Sequence, residues 1–240
     1  MLKTAPFSTR PLYLQVRDLL VSRITAGEWK PRSALPNEVD LARDLSVSPG
    51  TVRRALEQME DEHLIHRRQG RGTFVADQAS DELAIRYTNI RTPVGARVAA
   101  DVKQVEVEQG PAHEAEQKRL RLRAHAHVTR VRRIHRSGHA PIMVEDAILP
   151  DTLFPGLETG REIPHGITLL AQQFGILLGR AEERVKVGYA DPKTAAHLSI
   201  TETTPVLELD RVVYALDGRP AEWRRAKCHF GDEVYWTEID

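Results

Sequence analysis

The chain has 240 residues, of which 41% are hydrophobic and 28% are charged. This is the ordinary composition of a globular protein, and the length suits one large domain or two of average size. The one cysteine, Cys228, excludes an internal disulfide, and no apolar run approaches membrane-spanning length. The sequence therefore predicts a soluble protein of the cytoplasm.

The formal net charge is zero, but the charges are unevenly distributed. Residues 1–76 hold 12 Lys and Arg against 9 Asp and Glu, a net charge of +3, and the remaining residues hold 22 against 25, a net charge of −3. Because this excess is small, an argument for an anionic partner depends on where the cations lie rather than on their number.

The first third of the chain predicts three helices. A first, amphipathic helix is expected between Pro11 and Gly27, since proline suits a helix start and glycine a helix end. A second helix begins at Asn37. Ser48 can cap a third helix that has Pro49 at its first position, where the missing N–H costs nothing.

The third predicted helix carries cations near its start. Its apolar stripe consists of Val52, Ala55, Leu56 and Met59. Arg53 and Arg54 lie largely off this stripe, close to an N-terminus whose dipole favours anions. An anionic partner explains them, and the DNA major groove would provide one. The alternative is a helical hairpin with a solvated charged face.

Residues 66–75 predict two short strands joined by a turn bracketed by glycines. Arg67, Arg68 and Arg71 lie at the tip of this hairpin. A lone Gly-x-Gly turn is weak evidence. A turn that follows a helix-turn-helix by one short strand and carries three arginines is typical of a winged helix-turn-helix domain.

This part of the chain resembles the DNA-binding domain of the GntR family of bacterial transcription regulators. The matching residues are Pro11-Leu12-Tyr13, Gln15, Gly27, Leu35-Pro36-Asn37-Glu38, Leu41-Ala42, Val47-Ser48, Thr51-Val52-Arg53, Ala55-Leu56 and Gly70-Arg71-Gly72-Thr73-Phe74-Val75. The resemblance implies a DNA-binding domain over residues 1–76, with DNA contacts from Ser33, Glu38, Ser48, Gly50, Thr51, Arg53, Arg54, Arg67, Arg68, Gln69, Gly70, Arg71, Gly72 and Thr73. Val39 and Pro49 stand where many relatives have DNA-contacting arginines. Base recognition is therefore expected to depend more on Thr51, Arg53, Arg54 and the wing.

Residues 77–82 are short, polar and acidic, and they predict a linker to a second domain over residues 83–240. This domain contains a duplication. Matching prolines, Pro111 and Pro192, are 81 residues apart, matching arginines, Arg133 and Arg211, are 78 apart, and the turn glycines 138 and 218 are 80 apart. Each copy predicts a strand, a helix and a hairpin of two strands. Two copies would form one mainly antiparallel sheet with helices packed on it, an α+β fold.

Residues 80–240 are similar to the ligand-sensing UTRA domain of the HutC-type branch of GntR regulators, which shares its fold with chorismate lyase. The similarity lies in residues 128–150, 166–187 and 195–222. Because the predicted linker is short and the winged domain is small, this domain is also expected to carry the main dimer contact. The superfamily also contains an all-helical, often metal-binding sensor domain, but the strand-rich repeats argue against it.

The resemblance implies an effector site formed by Arg133, His135, Glu145, His165 and Glu222. Arg133 and His135 are two apart on a predicted strand, so their side chains leave the same face. The alternative is a solvated face or a set of ion pairs, since further arginines lie close by. Because the family has a second arginine at the position of His135, one bidentate donor is lost, which favours a carboxylate over a sugar phosphate. An imidazole-type acid such as urocanate is one candidate.

The histidine pairs His125 with His127 and His135 with His139 lack an accompanying Cys or carboxylate motif, so no metal and no cofactor is predicted. The motifs of common enzyme families are also missing. The sequence predicts a homodimeric regulator, usually a repressor in this branch, that binds a pseudo-palindromic operator. A small polar or anionic metabolite in the C-terminal domain is expected to change its operator affinity. A chorismate-lyase-like enzyme tethered to DNA, and a DNA-binding module that needs no ligand, are the alternatives.

Overall fold

A computed structural model describes residues 10–80, 83, 87, 89–157 and 163–237. The chain divides into two compact units, Met1–Gln78 and Ala79–Asp240, and each is described by itself. The predicted linker, residues 77–82, includes residues 81 and 82, which lie outside the described residues. Its limits, and those of the two predicted domains, stay predictions.

The N-terminal unit consists of three helices and a hairpin, which are α1 (Leu12–Thr25), α2 (Glu38–Asp44), α3 (Pro49–Asp61), β1 (Ile65–Arg68) and β2 (Gly72–Val75). Two helix starts are capped as the sequence predicts. The backbone N–H of Asp40 donates to Asn37 Oδ1 at 2.9 Å, and that of Thr51 donates to Ser48 Oγ at 3.1 Å. These side chains satisfy N–H groups that have no partner within the helix.

The hairpin that follows α3 is the predicted wing. β1 and β2 pair antiparallel, and Gly70 (φ +70°) and Gly72 (φ +110°) adopt left-handed backbone conformations at the turn. Glycine adopts these angles without the steric penalty of a side chain. The segment before α2 adds a third extended chain, because Leu35 N–H donates to Thr73 O at 2.8 Å.

The C-terminal unit contains a six-stranded antiparallel sheet and three short helices among its described residues. Its elements are β3 (Ile90–Arg91), β4 (Ala100–Pro111), α4 (Glu114–Leu120), β5 (His127–Ser137), β6 (Ala140–Pro150), α5 (Ile167–Gln173), β7 (Leu178–Tyr189), α6 (Pro192–Leu198), β8 (Pro205–Ala215), β9 (Pro220–Cys228) and β10 (Val234–Tyr235). The strand order is β4-β5-β6-β9-β8-β7, and β3 and β10 form a separate ribbon.

The sheet confirms the duplication and the α+β class. One copy is β4, α4, β5 and β6, and the other is β7, α6, β8 and β9. The copies meet at the centre of the sheet, where β6 pairs with β9. The turn glycines also correspond, since Gly138 (φ +58°) and Gly218 (φ +85°) both adopt left-handed conformations in the hairpins.

Different helices pack on the two faces of the sheet. On one face α4 and α6 pack through Leu120 and Leu198 against apolar strand residues. On the other face α5 packs through Leu170 beside Val131 of β5. Side chains alternate along a strand, so Arg133 shares the face of Val131. The second face therefore carries both an apolar core and buried charges.

Candidate functional site

The start of α3 presents a polar surface in the N-terminal unit. The apolar stripe of α3 is buried. Ser48, Gly50 and Arg53 are exposed, and Thr51 Oγ1 lies 2.9 Å from Ser48 Oγ. A capped helix start with exposed hydroxyl, backbone and guanidinium groups has the form of a helix that enters the DNA major groove.

Glu38 of α2 connects this surface to the wing. Its Oε2 accepts a hydrogen bond from Arg53 Nε at 2.9 Å and lies 2.9 Å from Arg53 Nη2 in an ion pair. Its Oε1 lies 3.6 Å from Arg67 Nη2. One carboxylate thus brings together two arginines from different elements, and both are among the residues that the sequence assigns to DNA.

Two further arginines of the predicted DNA surface contact aromatic rings. The Arg54 guanidinium carbon lies 4.9 Å from the centre of the Tyr13 ring, and that of Arg68 lies 5.4 Å from the centre of the Phe74 ring. Such cation–π contacts orient a guanidinium while leaving it charged. The other predicted DNA residues lie on the wing or next to it, and they are Ser33, Gln69, Gly70, Arg71, Gly72 and Thr73.

In the C-terminal unit, Arg133 of β5 and Glu145 of β6 are direct cross-strand partners. Each residue is 2% exposed. Arg133 Nη1 donates to Glu145 Oε1 at 3.2 Å. Arg133 Nη2 donates to the backbone oxygens of Pro164 at 3.0 Å and Ile163 at 3.4 Å. Arg133 therefore holds the loop before α5 against the sheet.

Glu145 also contacts the side chains of His135 and Arg224. His135 Nε2 lies 3.2 Å and Arg224 Nη1 lies 3.5 Å from Glu145 Oε2. Burial raises the pKa of Glu145, but His135, Arg224 and Arg133 outweigh burial and hold this pKa well below its usual range. Glu145 is therefore an anion at neutral pH and balances the charge of the cluster.

A cavity of about 440 Å³ lies beside this cluster. Its polar lining includes Arg97, His135, His165, Thr168, Glu222 and Arg224. Its apolar lining includes Tyr87, Ile90, Ile142, Met143 and Ile167. An apolar pocket with a few convergent polar groups is the usual form of a small-molecule site.

The structure separates the predicted effector residues into two layers. His135, His165 and Glu222 line the cavity. Arg133 and Glu145 lie behind it, and Glu145 contacts His135. Burial, followed by the charges of Arg133 and His135, lowers the pKa of His165, which favours its neutral form.

Glu222 and Arg224 are neighbours on one face of β9. Burial raises the pKa of Glu222, and this effect outweighs the opposing influence of Arg224. Arg224 was not predicted from the sequence. It lies two residues after Glu222 on a strand, and the alternation of side chains along a strand predicts that the two residues share a face. Arg97 and Thr168 were also missed. They come from loops and a helix start, which have no such periodicity.

A second buried cluster adjoins Arg224. Arg211 Nε lies 2.8 Å from Glu183 Oε1, and Arg211 Nη2 donates to Glu183 Oε2 at 2.8 Å. Glu183 Oε2 also accepts hydrogen bonds from the Tyr235 hydroxyl and, at 2.8 Å, from Asn89 Nδ2. Asn89 precedes β3 and Tyr235 lies on β10, so Glu183 of β7 ties this ribbon to the sheet. Arg224 Nη2 lies 3.9 Å from Glu183 Oε1, which links the two clusters.

The described parts of the chain form no metal site, no membrane-spanning helix and no reactive cysteine. No group of three or more His, Cys, Asp or Glu side chains is arranged to hold a metal ion. No helix in those parts is long and apolar enough to cross a membrane. Burial raises the pKa of the Cys228 thiol to about 12, so this cysteine lacks the thiolate character of a reactive group.

A winged helix-turn-helix unit followed by a sheet domain with a metabolite-sized cavity defines a transcription regulator that has its own sensing domain. The model for bacterial regulatory proteins of the gntR family matches residues 12–75, and the model for the UTRA domain matches residues 96–232. The chain belongs to the GntR family and carries a UTRA domain, as its sequence motifs predict.

Curated relatives similar to this chain are transcriptional regulators. The mannosyl-D-glycerate transport/metabolism system repressor MngR of Escherichia coli K12 is 28% identical over 217 residues, which cover 90% of each chain. The histidine utilization repressor of Pseudomonas aeruginosa is 29% identical over 231 residues, which cover 92% of this chain and 88% of that one. The chain is accordingly a DNA-binding transcriptional regulator with a sensing domain, and not an enzyme.

Solved structures agree with this fold. The ligand-binding domain of a GntR-family regulator from Bordetella bronchiseptica superposes with a TM-score of 0.57 and 27% identity, and covers 63% of this chain and 96% of that one. PhnF from Mycobacterium smegmatis superposes with a TM-score of 0.56 and 23% identity, and covers 94% of this chain and 99% of that one. Because its sequence identity is lower, the match to PhnF supports the fold alone.

Proposed function

We propose that this regulator binds a small anionic metabolite in the cavity beside Glu222 and Arg224, and that binding changes its affinity for operator DNA. The observation that carries the proposal is the position of the cavity. A space of about 440 Å³ is lined by Arg224 and lies beside the buried pair of Arg133 and Glu145. The contacts of Arg224 with Glu145 and Glu183 are long, at 3.5 and 3.9 Å, so an anionic occupant of the cavity can give this guanidinium closer partners.

The effector is a carboxylate rather than a phosphate ester. His135 and the neutral form of His165 can each supply one hydrogen bond, whereas phosphate recognition usually depends on bidentate arginines. MngR is named for mannosyl-D-glycerate and the Pseudomonas relative for histidine utilization, and both compounds carry a carboxylate. Urocanate is a further candidate of this class, and a sugar phosphate is the competing one.

The operator is a pseudo-palindrome bound by a homodimer in the cytoplasm. One recognition helix contacts few base pairs, and two half-sites related by symmetry multiply the specificity. Arg53 is the base-reading candidate at the start of α3, and Arg67, Arg68 and Arg71 contact the backbone or minor groove from the wing. Repression is the expected mode of action, as in the relatives named repressors.

The second copy contacts the edge strand β7. Val185, Val187 and Tyr189 share one face of this strand, and Val187 and Tyr189 are 71% and 66% exposed. An exposed apolar edge strand tends to pair with another chain. Antiparallel pairing of two β7 strands about Val187 would place Val185 of each copy opposite Tyr189 of the other.

Calorimetry on the full chain tests the effector proposal, with mannosyl-D-glycerate, L-histidine, urocanate and glucose 6-phosphate as ligands. Binding of a carboxylate, with weaker or no binding of the phosphate ester, is expected. If none of the four binds or stabilises the protein at millimolar concentration, the alternative of a ligand-independent DNA-binding module is favoured.

Sedimentation tests the dimer. The wild-type chain is expected to be dimeric at micromolar concentration, and Val187→Lys is expected to shift it toward monomer. A matched change at an exposed site away from β7, Val94→Lys, should leave the dimer intact. A monomeric wild-type chain would refute the dimer, and a dimeric Val187→Lys variant would refute this surface.

A further inference from the structure

We infer that Arg224 of the second repeat, rather than Arg133, receives the acidic group of the effector, and that Arg133 is a positioning residue. The inference rests on the proposed function of the cavity and assigns the roles of the two arginines within it. The resemblance to known regulators had pointed to Arg133 as the ligand cation. The contacts of the two guanidinium groups lead to the opposite assignment.

Arg133 is already engaged and lies away from the cavity. Its Nη1 donates to Glu145 Oε1 at 3.2 Å, and its Nη2 donates to Pro164 O at 3.0 Å. At 2% exposure it is enclosed by these partners. A ligand in the cavity would have to displace both the carboxylate and the loop carbonyls to contact it. The loop so held carries His165, which lines the cavity.

Arg224 lines the cavity and has donors to spare. Its Nη1 lies 3.5 Å from Glu145 Oε2 and its Nη2 lies 3.9 Å from Glu183 Oε1, so both contacts are long. Its buried Nε, like that of Arg133, has no hydrogen-bond partner among the described residues, but of the two arginines it is Arg224 that lines the cavity. A guanidinium offers five N–H donors, and a buried unsatisfied donor carries a free-energy penalty that a ligand oxygen would remove.

Arg224 can also turn to a ligand without leaving a buried charge unpaired. Glu145 keeps Arg133 Nη1 and His135 Nε2, each at 3.2 Å. Glu183 keeps Arg211 at 2.8 Å. Both carboxylates that contact Arg224 within 4 Å, Glu145 and Glu183, therefore have a closer partner. If Arg133 turned to a ligand instead, the loop before α5 would lose the hydrogen bonds that Arg133 donates to its carbonyls.

The neighbours of Arg224 complete a carboxylate site. Glu222 precedes it by two residues on the same face of β9 and also lines the cavity. In its neutral form this carboxyl group can donate a hydrogen bond to a ligand oxygen. His165 also lines the cavity and can act as a second donor. The site thus offers a bidentate cation and two single donors, which fits one carboxylate with an adjacent polar group.

Calorimetry on four forms of the full chain tests the assignment, with urocanate and mannosyl-D-glycerate as the probes. Arg224→Gln should weaken binding by about 30-fold or more, since removal of a buried charged partner has an effect of this order. Arg224→Lys keeps the positive charge but loses the bidentate donor geometry of the guanidinium, and about a tenfold loss of ligand affinity is expected. Arg133→Lys should weaken binding less than Arg224→Gln. It should also speed amide exchange in residues 163–166, which Arg224→Gln should not do.

The outcomes are distinguishable. If the wild-type chain binds neither probe nor inorganic phosphate at 10 mM, which is about the weakest binding that calorimetry detects, the proposed anion cavity fails and the inference fails with it. If the wild type binds but Arg224→Gln and Arg224→Lys bind within about threefold of it, the inference alone is overturned. If Arg97→Gln then abolishes ligand binding, Arg97 rather than Arg224 is the cation that receives the acidic group. Arg224→Lys decides the case should Arg224→Gln fail to fold.

Discussion

Glu145 and Arg224 occupy corresponding positions in the two repeats, and their side chains meet across the centre of the sheet. Arg133 lies opposite Glu145 in the strand register of the first hairpin. Its counterpart 78 residues later, Arg211, lies opposite Arg224 in the register of the second hairpin. The duplication has therefore placed an acid in one copy and a base in the other. Because β6 and β9 are neighbours, Glu145 Oε2 and Arg224 Nη1 lie 3.5 Å apart.

Glu145→Gln should destabilise the protein. The substitution leaves the guanidinium groups of Arg133 and Arg224 with less compensating charge, and breaking a buried ion pair in this way costs about 3 to 5 kcal/mol. Urea unfolding at pH 7 measures the change. Glu108→Gln is the control, since Glu108 is an exposed glutamate that also pairs with an arginine. Equal midpoints for the two variants would contradict the role given to Glu145.

The contribution of Glu145 should also depend on pH. Its folded-state pKa is depressed, so its stabilisation is present above the unfolded carboxyl pKa, about 4.3, and is lost as the pH falls below that value. The unfolding free energies of wild type and Glu145→Gln should therefore converge in acid. A difference that stays constant from neutral pH into acid would show that hydrogen-bond geometry rather than charge is responsible.

Glu222→Gln should act in the opposite direction. Burial raises the folded-state pKa of Glu222, so the wild-type protein loses stability as the pH rises from the unfolded value through the folded one. The variant has no charge to bury. Thermal midpoints should coincide at about pH 4, near the unfolded pKa, and the variant should melt higher at neutral pH. A lower midpoint for the variant at neutral pH would show that ionised Glu222 is held by Arg224.

Tyr235→Phe should loosen the β3–β10 ribbon. The Tyr235 hydroxyl binds Glu183 and accepts a hydrogen bond from Asn89, so the substitution removes two contacts at the base of the ribbon. Amide exchange of residues 89–91 should accelerate. Effector binding should slow the same exchange in the wild type, because the ribbon flanks residues that line the cavity. An unchanged exchange rate with and without ligand would exclude the ribbon from the response.

Arg53→Ala should weaken specific operator binding by about 1 to 3 kcal/mol, the usual worth of a base contact. Binding to random DNA should change less. Arg219→Ala, an exposed arginine in the β8–β9 turn of the sensing unit, is the control. Fluorescence anisotropy on both DNA types measures the ratio. If affinity for specific and random DNA falls equally, Arg53 is a phosphate contact.

The local elements could be predicted from the sequence because each carries its own chemical signal. Ser48 and Pro49 mark the start of α3, and glycines 70 and 72 mark the turn of the wing. The duplication was visible as a near-constant spacing, and it implied the antiparallel sheet. In these cases the information lies within a few residues or in a periodic pattern.

The layers of the effector region could not be predicted in the same way. Arg133 and His135 alternate correctly on β5, but only the fold shows that Arg133 binds the carbonyls of Pro164 and Ile163 while His135 lines the cavity. That difference depends on a loop 30 residues away along the chain. The role of Arg224 depends on the pairing of β6 with β9, which joins the two repeats. Contacts of this range leave no local signal.

Operator affinity measured during titration with the effector tests the account most directly. The operator can be selected from genomic DNA with the full chain, and the ligand is the carboxylate that binds by calorimetry. We expect saturating ligand to change the dissociation constant for the operator by about 5- to 150-fold, the range of an ordinary two-state coupling. Arg224→Gln should raise the ligand concentration that gives half of this response by about 30-fold or more. A ligand that binds the cavity and leaves operator affinity unchanged would contradict the account.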